Sequence, residues 1–355
     1  MRDALVTFHR WLALATSLFI FLIAGSGSAL VFEGAMDRAL APALWHAQES
    51  GARLSLDTLA ARAGIALHGA PGAVSMATEA GRPDIFLGQG TRAYIDPVTG
   101  ALLGLRTSAQ SESTLPRKIH RLHTDLLVRG AGGTVVALVT IASFLLLVTG
   151  IIVWWRDKLW RISWRASWKR IAYDLHHSLG IAAALVLLLV TASGIAMHYR
   201  ALGKAIDGIG SPPAPVRRLQ VQQAGRVLSL DSVVARATET LPGALPTSVT
   251  FSDGHGAAVV TLRFPEDRTP AGRSSVTIGR SDGTVRAVQS TRALATGKRI
   301  TTLLRPIHTG DILGPVTSVI WLLAALVLAS QSITGALMWN NARHGRARIR
   351  RRAPA

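Results

Sequence analysis

The 355-residue chain contains no cysteine. That excludes disulfides, iron–sulfur clusters, thioether-linked haem and thiol catalysis. Any redox chemistry must therefore use a group held non-covalently by other ligands. Acidic residues are scarce, 20 Asp and Glu against 39 Lys and Arg, for a formal net charge of +19. No glycine-rich dinucleotide fingerprint lies beside a strand-like run, and no acid–base dyad or activated nucleophile can be assembled from the pattern. Charge is absent from four long stretches: Trp11–Phe32, Gly130–Trp155, Ser178–Met197 and Ile312–Ala342. A bilayer core needs about 20 apolar residues as helix, so all four read as transmembrane helices. Arg2 and Arg10 before the first run also suit a cleaved signal. Its length, and a repeat partner deep inside the chain, favour a permanent span.

The basic excess suggests nucleic-acid binding until its position is considered. Arg156, Lys158, Arg161, Arg165, Lys169 and Arg170 crowd the segment between spans two and three, interleaved with Trp154, Trp155, Trp160, Trp164 and Trp168. Arg343, Arg346, Arg348, Arg350, Arg351 and Arg352 crowd the tail. Short inner loops carry such an excess, and tryptophans mark the headgroup level. Both termini and the middle loop are expected inside, and roughly 34–129 and 200–311 outside. Membrane lipid, not nucleic acid, is the expected partner of the basic segments.

The chain is also written twice. His9 and His176 open spans one and three, and in that alignment Leu12 falls on Leu179 and Gly27 on Gly194. His123-Thr124 and His308-Thr309 precede spans two and four, each with 27 residues from the His to Gly150 or Gly335 and then a tryptophan, Trp154 or Trp339. The outer segments repeat as well. Leu54-Ser55-Leu56-Asp57 and Leu228-Ser229-Leu230-Asp231 offer Ser or Asp helix caps before helical patterns at Thr58–Ile65 and Ser232–Thr240. Strand-like alternation follows at Ala73–Ala77, Asp84–Leu87 and Thr91–Ile95, and again at Ser248–Phe251, Ala257–Phe264 and Ser275–Ile278. Asp96-Pro97-Val98-Thr99-Gly100 and Ser281-Asp282-Gly283 read as turns. A helix and about three strands make a unit too small to be stable alone. It must dock on its twin or on the membrane bundle. Residues 207–223 read as a linker.

Imidazole is a standard axial ligand of haem iron, and an ionisable group within or beside a span is a functional candidate by default. His9 and His176 can face each other across a two-fold axis along the membrane normal. His177 points about 100° away from His176 on a helix and has Arg10 as its repeat counterpart; both suit a haem propionate or a headgroup. Counting about 20 residues back from Trp154 or Trp339 puts the outer boundary near residues 134 and 319. His123 and His308 then lie about 16 Å further out if the helices continue, though Gly130, Gly132, Gly133 and Gly314-Pro315 invite a break. His198 has no twin and is a rival outer ligand with His123 or His308. His120 shares a helical face with His123. Lys118, Arg121, Arg129, Tyr173 and Arg305 flank these positions and suit propionate contacts. Gly25, Gly27, Gly150, Gly180, Gly194 and Gly335 remove side chains where helices or a flat macrocycle approach closely; simple helix packing is the competing explanation. His46, His68, His255 and His344 read as solvent-facing or structural.

These motifs, Phe8-His9-Arg10-Trp11, Leu175-His176-His177-Ser178, Leu122-His123-Thr124-Asp125 and Ile307-His308-Thr309, together with Gly150, Gly335, Trp154 and Trp339, resemble the PepSY-associated transmembrane family of bacterial inner-membrane proteins. That family includes iron-regulated membrane proteins and haem-containing ferric-siderophore reductases. The resemblance covers about residues 5–342. It implies a four-helix membrane bundle from a tandem duplication with two small α+β PepSY-like extracytoplasmic domains. The expected boundaries are transmembrane helix 1 at 1–33, the first periplasmic domain at 34–115, and an outer helix with transmembrane helix 2 at 116–157. A basic cytoplasmic loop at 158–175 and transmembrane helix 3 at 176–200 follow. A linker with the second periplasmic domain at 201–300, an outer segment with transmembrane helix 4 at 301–342, and a basic cytoplasmic tail at 343–355 complete the chain. The implied activity is that of a di-haem b reductase passing electrons across the bacterial inner membrane to a periplasmic ferric siderophore; the sequence does not name the electron donor, for which a quinol, a flavoprotein and a soluble reductase are open. His9, His176, His123 and His308 are the expected axial ligands. Two other readings fit a membrane-anchored PepSY protein: a siderophore permease without redox activity, and a scaffold or regulator of a periplasmic protein. Inverted repeats and broken midplane helices would favour the permease, but each half has two spans, so both enter the membrane in the same orientation, and no mid-span charge appears; the scaffold gives the paired histidines no role.

Overall fold

A computed structural model describes residues 2–158, 160–210, 227–252 and 256–350. Most of the expected linker (211–223), His255, Arg351 and Arg352 lie outside the described residues. The helices are α1 (Arg2–Leu30), α2 (Glu33–Leu40), α3 (Pro42–Trp45), α4 (Leu56–Leu67), α5 (Ser108–Ser113), α6 (Leu115–Asp125), α7 (Gly132–Asp157), α8 (Trp168–His198), α9 (Arg200–Asp207), α10 (Leu230–Thr240), α11 (Thr296–Thr309) and α12 (Pro315–Arg350). The strands are β1 (Ala73–Ser75), β2 (Asp84–Gly88), β3 (Thr91–Ile95), β4 (Leu102–Thr107), β5 (Leu245–Ser252), β6 (Ala257–Arg263), β7 (Ser274–Gly279) and β8 (Val285–Gln289). The chain divides into two compact units. One comprises Met1–Glu33, Lys118–Lys204 and Leu303–Ala355, and the other Gly34–Arg117 and Ala205–Thr302.

The first unit is helical. Arg2–Leu30, Gly132–Arg156, Trp168–His198 and Pro315–His344 are long and apolar enough to cross a membrane. Helix α1 packs on α7 and α12, and α8 packs on the same two. Their outward faces carry bare apolar side chains: Leu18, Leu138, Leu185 and Val316 are 58–71% exposed. Such a surface is unusual in water and ordinary in lipid. Three buried hydroxyls inside the bundle satisfy themselves locally. Ser26, Ser143 and Thr191 donate to carbonyls four residues back at 2.6–2.8 Å, which leaves no polar atom of theirs to the hydrocarbon. Helix α8 starts at Trp168, so the second half of the expected inner loop is already helical.

The helices before the second and fourth spans do not run straight into them. Leu126 and Leu127 (φ 53° and 61°) and Gly130 (φ 78°) turn the chain between α6 and α7. Gly132 is obligatory there, because any Cβ would collide with the Asp125 carbonyl. Between α11 and α12 the turn is made by Gly310 (φ 82°) and Gly314 (φ 78°), and the Trp321 indole N–H donates to the Ile307 carbonyl at 2.6 Å. Of the two courses open to the chain before spans two and four, a continued helix and a break at the glycines, the structure has the break. Both histidines are folded back against α1 and α8.

In the second unit the two outer segments form one eight-stranded antiparallel sheet, in the order β4-β3-β2-β1-β5-β6-β7-β8. Each segment contributes four strands rather than three. The missed strands, Leu102–Thr107 and Val285–Gln289, are edge strands whose mixed exposure hides the alternation. The seam is β1 against β5, where Val74 sits opposite Val249. Both are essentially fully buried, in one core with Phe86, Val260, Ile278 and the inner faces of α4 and α10.

The two helix N-termini cap each other. Ser55 and Ser229 each accept from the N–H three residues on, at 3.2 and 3.1 Å. The Asp57 carboxylate accepts from the N–H groups of Leu230 (2.9 Å) and Asp231 (3.2 Å), and Asp231 accepts from those of Leu56 (2.8 Å) and Asp57 (3.2 Å). The first-turn donors that a helix leaves orphaned are thus met by the twin's aspartate. Burial pushes the Asp57 carboxyl up, but the Leu230 N–H and the other donors outweigh it and hold the carboxyl below its ordinary value. Stability from this depressed group is present above the unfolded pKa and is lost as pH falls through the folded one. Asp57→Ala is expected to cost about 1–2 kcal/mol, read as a lower melting temperature of the detergent-solubilised protein. The gap between wild type and variant is expected to narrow as the pH is lowered below the usual carboxylate range.

Candidate functional site

Four histidines share one local design. His123 on α6 donates from Nδ1 to the Ile23 carbonyl of α1 at 2.8 Å. His308 on α11 donates from Nδ1 to the Val190 carbonyl of α8 at 2.9 Å. Ile23 and Val190 are equivalent positions of the internal repeat. A carbonyl only accepts, so the proton is on Nδ1 and Nε2 holds the free lone pair. At the other end of the bundle, His9 Nδ1 meets Thr149 Oγ1 at 2.8 Å, and His176 Nδ1 meets Thr334 Oγ1 at 2.9 Å. Each threonine hydroxyl spends its own proton on a carbonyl one turn back, Leu145 at 2.8 Å or Ser330 at 2.9 Å. Its oxygen must therefore accept from the histidine. All four imidazoles are neutral Nδ1–H tautomers with an uncommitted Nε2.

Glycines make room for these rings. A Cβ on Gly27 would stand 2.9 Å from His123 Cε1, and one on Gly194 would stand 3.0 Å from His308 Cε1. Gly150 and Gly335 face the Cε1 atoms of His9 and His176 at 3.5 and 3.4 Å. Gly180 faces the Gln331 amide, and Gly25 faces nothing within 4 Å.

The His123 and His308 rings are brought together with centroids 6.1 Å apart and planes tilted by 55°. Two imidazoles on opposite sides of one metal, with bonds of about 2 Å, have centroids roughly 6 Å apart. Burial pushes the His123 imidazole down to about 4 and lowers His308, which keeps both neutral at pH 7. His9 and His176 line one cavity of about 370 Å³ among the four long helices, together with Arg10, His177, Gly150 and Gly335. Ile23 and Val190 each lie 14 residues along their helices from His9 and His176. The two histidine levels are therefore about 21 Å apart at 1.5 Å per residue.

The other candidates are placed as follows. His177 lies flat on Tyr173 (centroids 4.0 Å), its Nδ1 on the Tyr173 carbonyl at 2.9 Å. Arg170 stands over the same Tyr173 ring. His120 pairs with Glu33 at 3.6 Å, and Arg121 pairs with Asp125 at 3.2 Å. Arg305 is exposed. His198 is exposed at the end of α8, edge-on to Tyr199 and beside Gly133, while His123 has His308 as its neighbour. Among the described residues no three or more His, Cys, Asp or Glu gather to hold a bare metal ion. What assembles is pairs. Sequence reasoning overlooked Gln331 and Ser332, which line the His9–His176 cavity; their repeat counterparts, Leu146 and Leu147, were the available signal.

Four lipid-suited helices with histidine pairs near both ends define a multi-pass membrane protein. The chain belongs to the PepSY-associated TM region family, whose model matches residues 6–342. No curated protein matches it.

The glycine contacts carry a direct test. Gly27→Ala forces a methyl into the His123 ring and is expected to destabilise by about 1–3 kcal/mol. Gly25→Ala, two residues away and meeting nothing, is expected to be neutral or to gain up to about 1 kcal/mol of helix propensity. Melting temperatures of the two variants in detergent decide the matter.

Proposed function

We propose that the protein binds two haem b groups, one between His9 and His176 and one between His123 and His308, and carries electrons across a bacterial inner membrane. The observation that carries this reading is the fourfold recurrence of a neutral imidazole locked through Nδ1 with Nε2 left open. The fit to haem rests on the 6.1 Å ring spacing of His123 and His308 and on the cavity shared by His9 and His176. Bound haem supplies one-electron ferric/ferrous chemistry. The chain's own part is orientation and environment. Thr149, Thr334 and the two helix carbonyls fix each ring and its tautomer, and raise the basicity of Nε2. Glycines admit the rings, and the apolar walls exclude water.

By resemblance the substrate is a ferric siderophore at the His123–His308 end. One electron converts its iron to the ferrous state, which hard oxygen chelators hold less firmly. A quinol or flavoprotein at the His9–His176 end is the donor class that suits the reading. The inner placement of both termini rests on the basic segments around Arg156–Arg170 and Arg343–Arg352.

The purified protein is expected to show Soret and α bands. His9→Ala or His176→Ala should remove one haem, and His123→Ala or His308→Ala the other, while His198→Ala keeps both. Absence of these bands in wild type, even after haem supplementation, would falsify the reading. Thr149→Val and Thr334→Val keep the ligand but lose its anchor, and are expected to weaken haem retention about 10- to 100-fold, measured as transfer to an acceptor globin.

A further inference from the structure

The His9–His176 cavity is built by a repeat, yet its polar inventory is one-sided. Three of the residues that line it each carry a buried donor atom with no hydrogen-bond partner among the described residues: Arg10 Nε, Gln331 Nε2 and Ser332 Oγ. All three carry protons to donate, and a guanidinium can do nothing else. A buried donor left unmet costs about 1–3 kcal/mol, so three in one cavity point to a ligand that brings acceptors. Two of the three lie on α12. Their counterparts on α7 are Leu146 and Leu147, and the counterpart of Arg10 is His177, whose Nδ1 is already satisfied.

The departure from symmetry is a paired one. Gln331 reaches across to α8 at Gly180, where a Cβ would stand 3.3 Å from its amide oxygen. In the other half the same two positions hold Ala13 and Leu146. The small residue has become smaller where the facing residue has become polar. Gly180 lies four residues from His176, and Gln331 three from Thr334, so the amide is on the same helix faces as the His176 ligand and its anchor.

Resting on the haem reading of this cavity, we infer that Gln331, Ser332 and Arg10 are positioning residues that hold the carboxylate edge of the ligand toward α12 and α1. The propionate edge is thereby given a single direction in the near-symmetric cavity. Haem b fits the donor set because its only strong acceptors are its two propionates, both on one edge. The Arg10 guanidinium supplies the charge-assisted bond, and the Gln331 amide and Ser332 hydroxyl supply neutral ones. Loss of donors to carboxylates leaves more uncompensated negative charge beside the iron and favours its oxidised form.

The test uses the full-length protein in detergent, loaded with a haem isomer symmetric about the axis that bisects its propionate edge, so that a face flip is silent and a second set of resonances reports a turned propionate edge. Proton NMR of the hyperfine-shifted haem methyl groups reads orientation, and the inner set is identified by its absence in His176→Ala. A redox titration reads the potential. Wild type is expected to give one set of inner methyl resonances. The Gln331→Leu/Ser332→Leu variant, which copies the other half, is expected to retain inner haem, to give two sets, and to prefer the reduced form several-fold less. Each tenfold in that preference is 59 mV for one electron. Gly180→Ala keeps the donor but pushes the amide aside, and is expected to give the same signature more weakly, which covers the case in which the double variant does not fold. Two sets in wild type, or one set and an unchanged potential in both variants, overturns the inference and leaves the haem reading standing. A wild-type protein without haem bands fails the haem reading instead.

Discussion

An imidazole inside an apolar bundle has two nitrogens and little water, and each nitrogen must be accounted for. That constraint organises the helical unit. The outer pair uses backbone carbonyls of α1 and α8, and a helix carbonyl becomes reachable from the side only where a neighbouring residue lacks a Cβ. The glycine four residues further along, Gly27 or Gly194, provides that gap. The other pair uses threonines whose own protons are already spent on their helices. Four different partners thus impose one tautomer. The helix breaks at Leu126–Gly130 and Gly310–Gly314 follow from the same need, since a straight continuation would carry His123 and His308 away from those carbonyls.

The sheet unit meets a different shortage. Each of its halves lays one core helix, α4 or α10, on four strands, too little to bury a core alone. Pairing β1 with β5 gives the halves a common sheet, and Val74 against Val249 makes the two cores one. The exchanged aspartates add a polar condition to this apolar one. Asp57 and Asp231 can be satisfied only when the twin helix start is present and in register. A slip of one residue along the seam would expose the valines and separate the carboxylates from their donors.

Much of this was legible in the sequence, and the limits have physical causes. The four spans follow from charge-free length, and the helices at Leu56–Leu67 and Leu230–Thr240 from their caps and period. The serines do cap those helices, but the aspartates cap the twin's, which no local rule could reveal. The edge strands β4 and β8 escaped because a half-exposed strand loses its alternation. His123 and His308 were legible as an outer pair, but the backbone course that brings them together was not. Their approach depends on backbone turns at Leu126 and Leu127, where positive φ in leucine has no sequence signature. His198 attracted notice as the unmatched histidine, whereas the polar exceptions that line the cavity, Gln331 and Ser332, stand among leucines and alanines and drew none.

Duplication alone makes two equivalent halves, which is sufficient to place a ligand on the axis but not to distinguish its sides. The shared positions are those that hold the rings: His9 and His176, Thr149 and Thr334, Gly150 and Gly335, His123 and His308, Gly27 and Gly194. The divergent positions surround them. Arg10 answers His177, Gln331 answers Leu146, and at the other histidine pair the Glu33–His120 contact is answered by Arg200 and Arg305. A ring position anchored through Nδ1 is constrained by its partner, while a wall position can change polarity one residue at a time provided its neighbour yields space, as Gly180 does for Gln331. The symmetric set therefore fixes the four imidazoles and their anchors, and the asymmetric set is where the two halves differ in polarity around them.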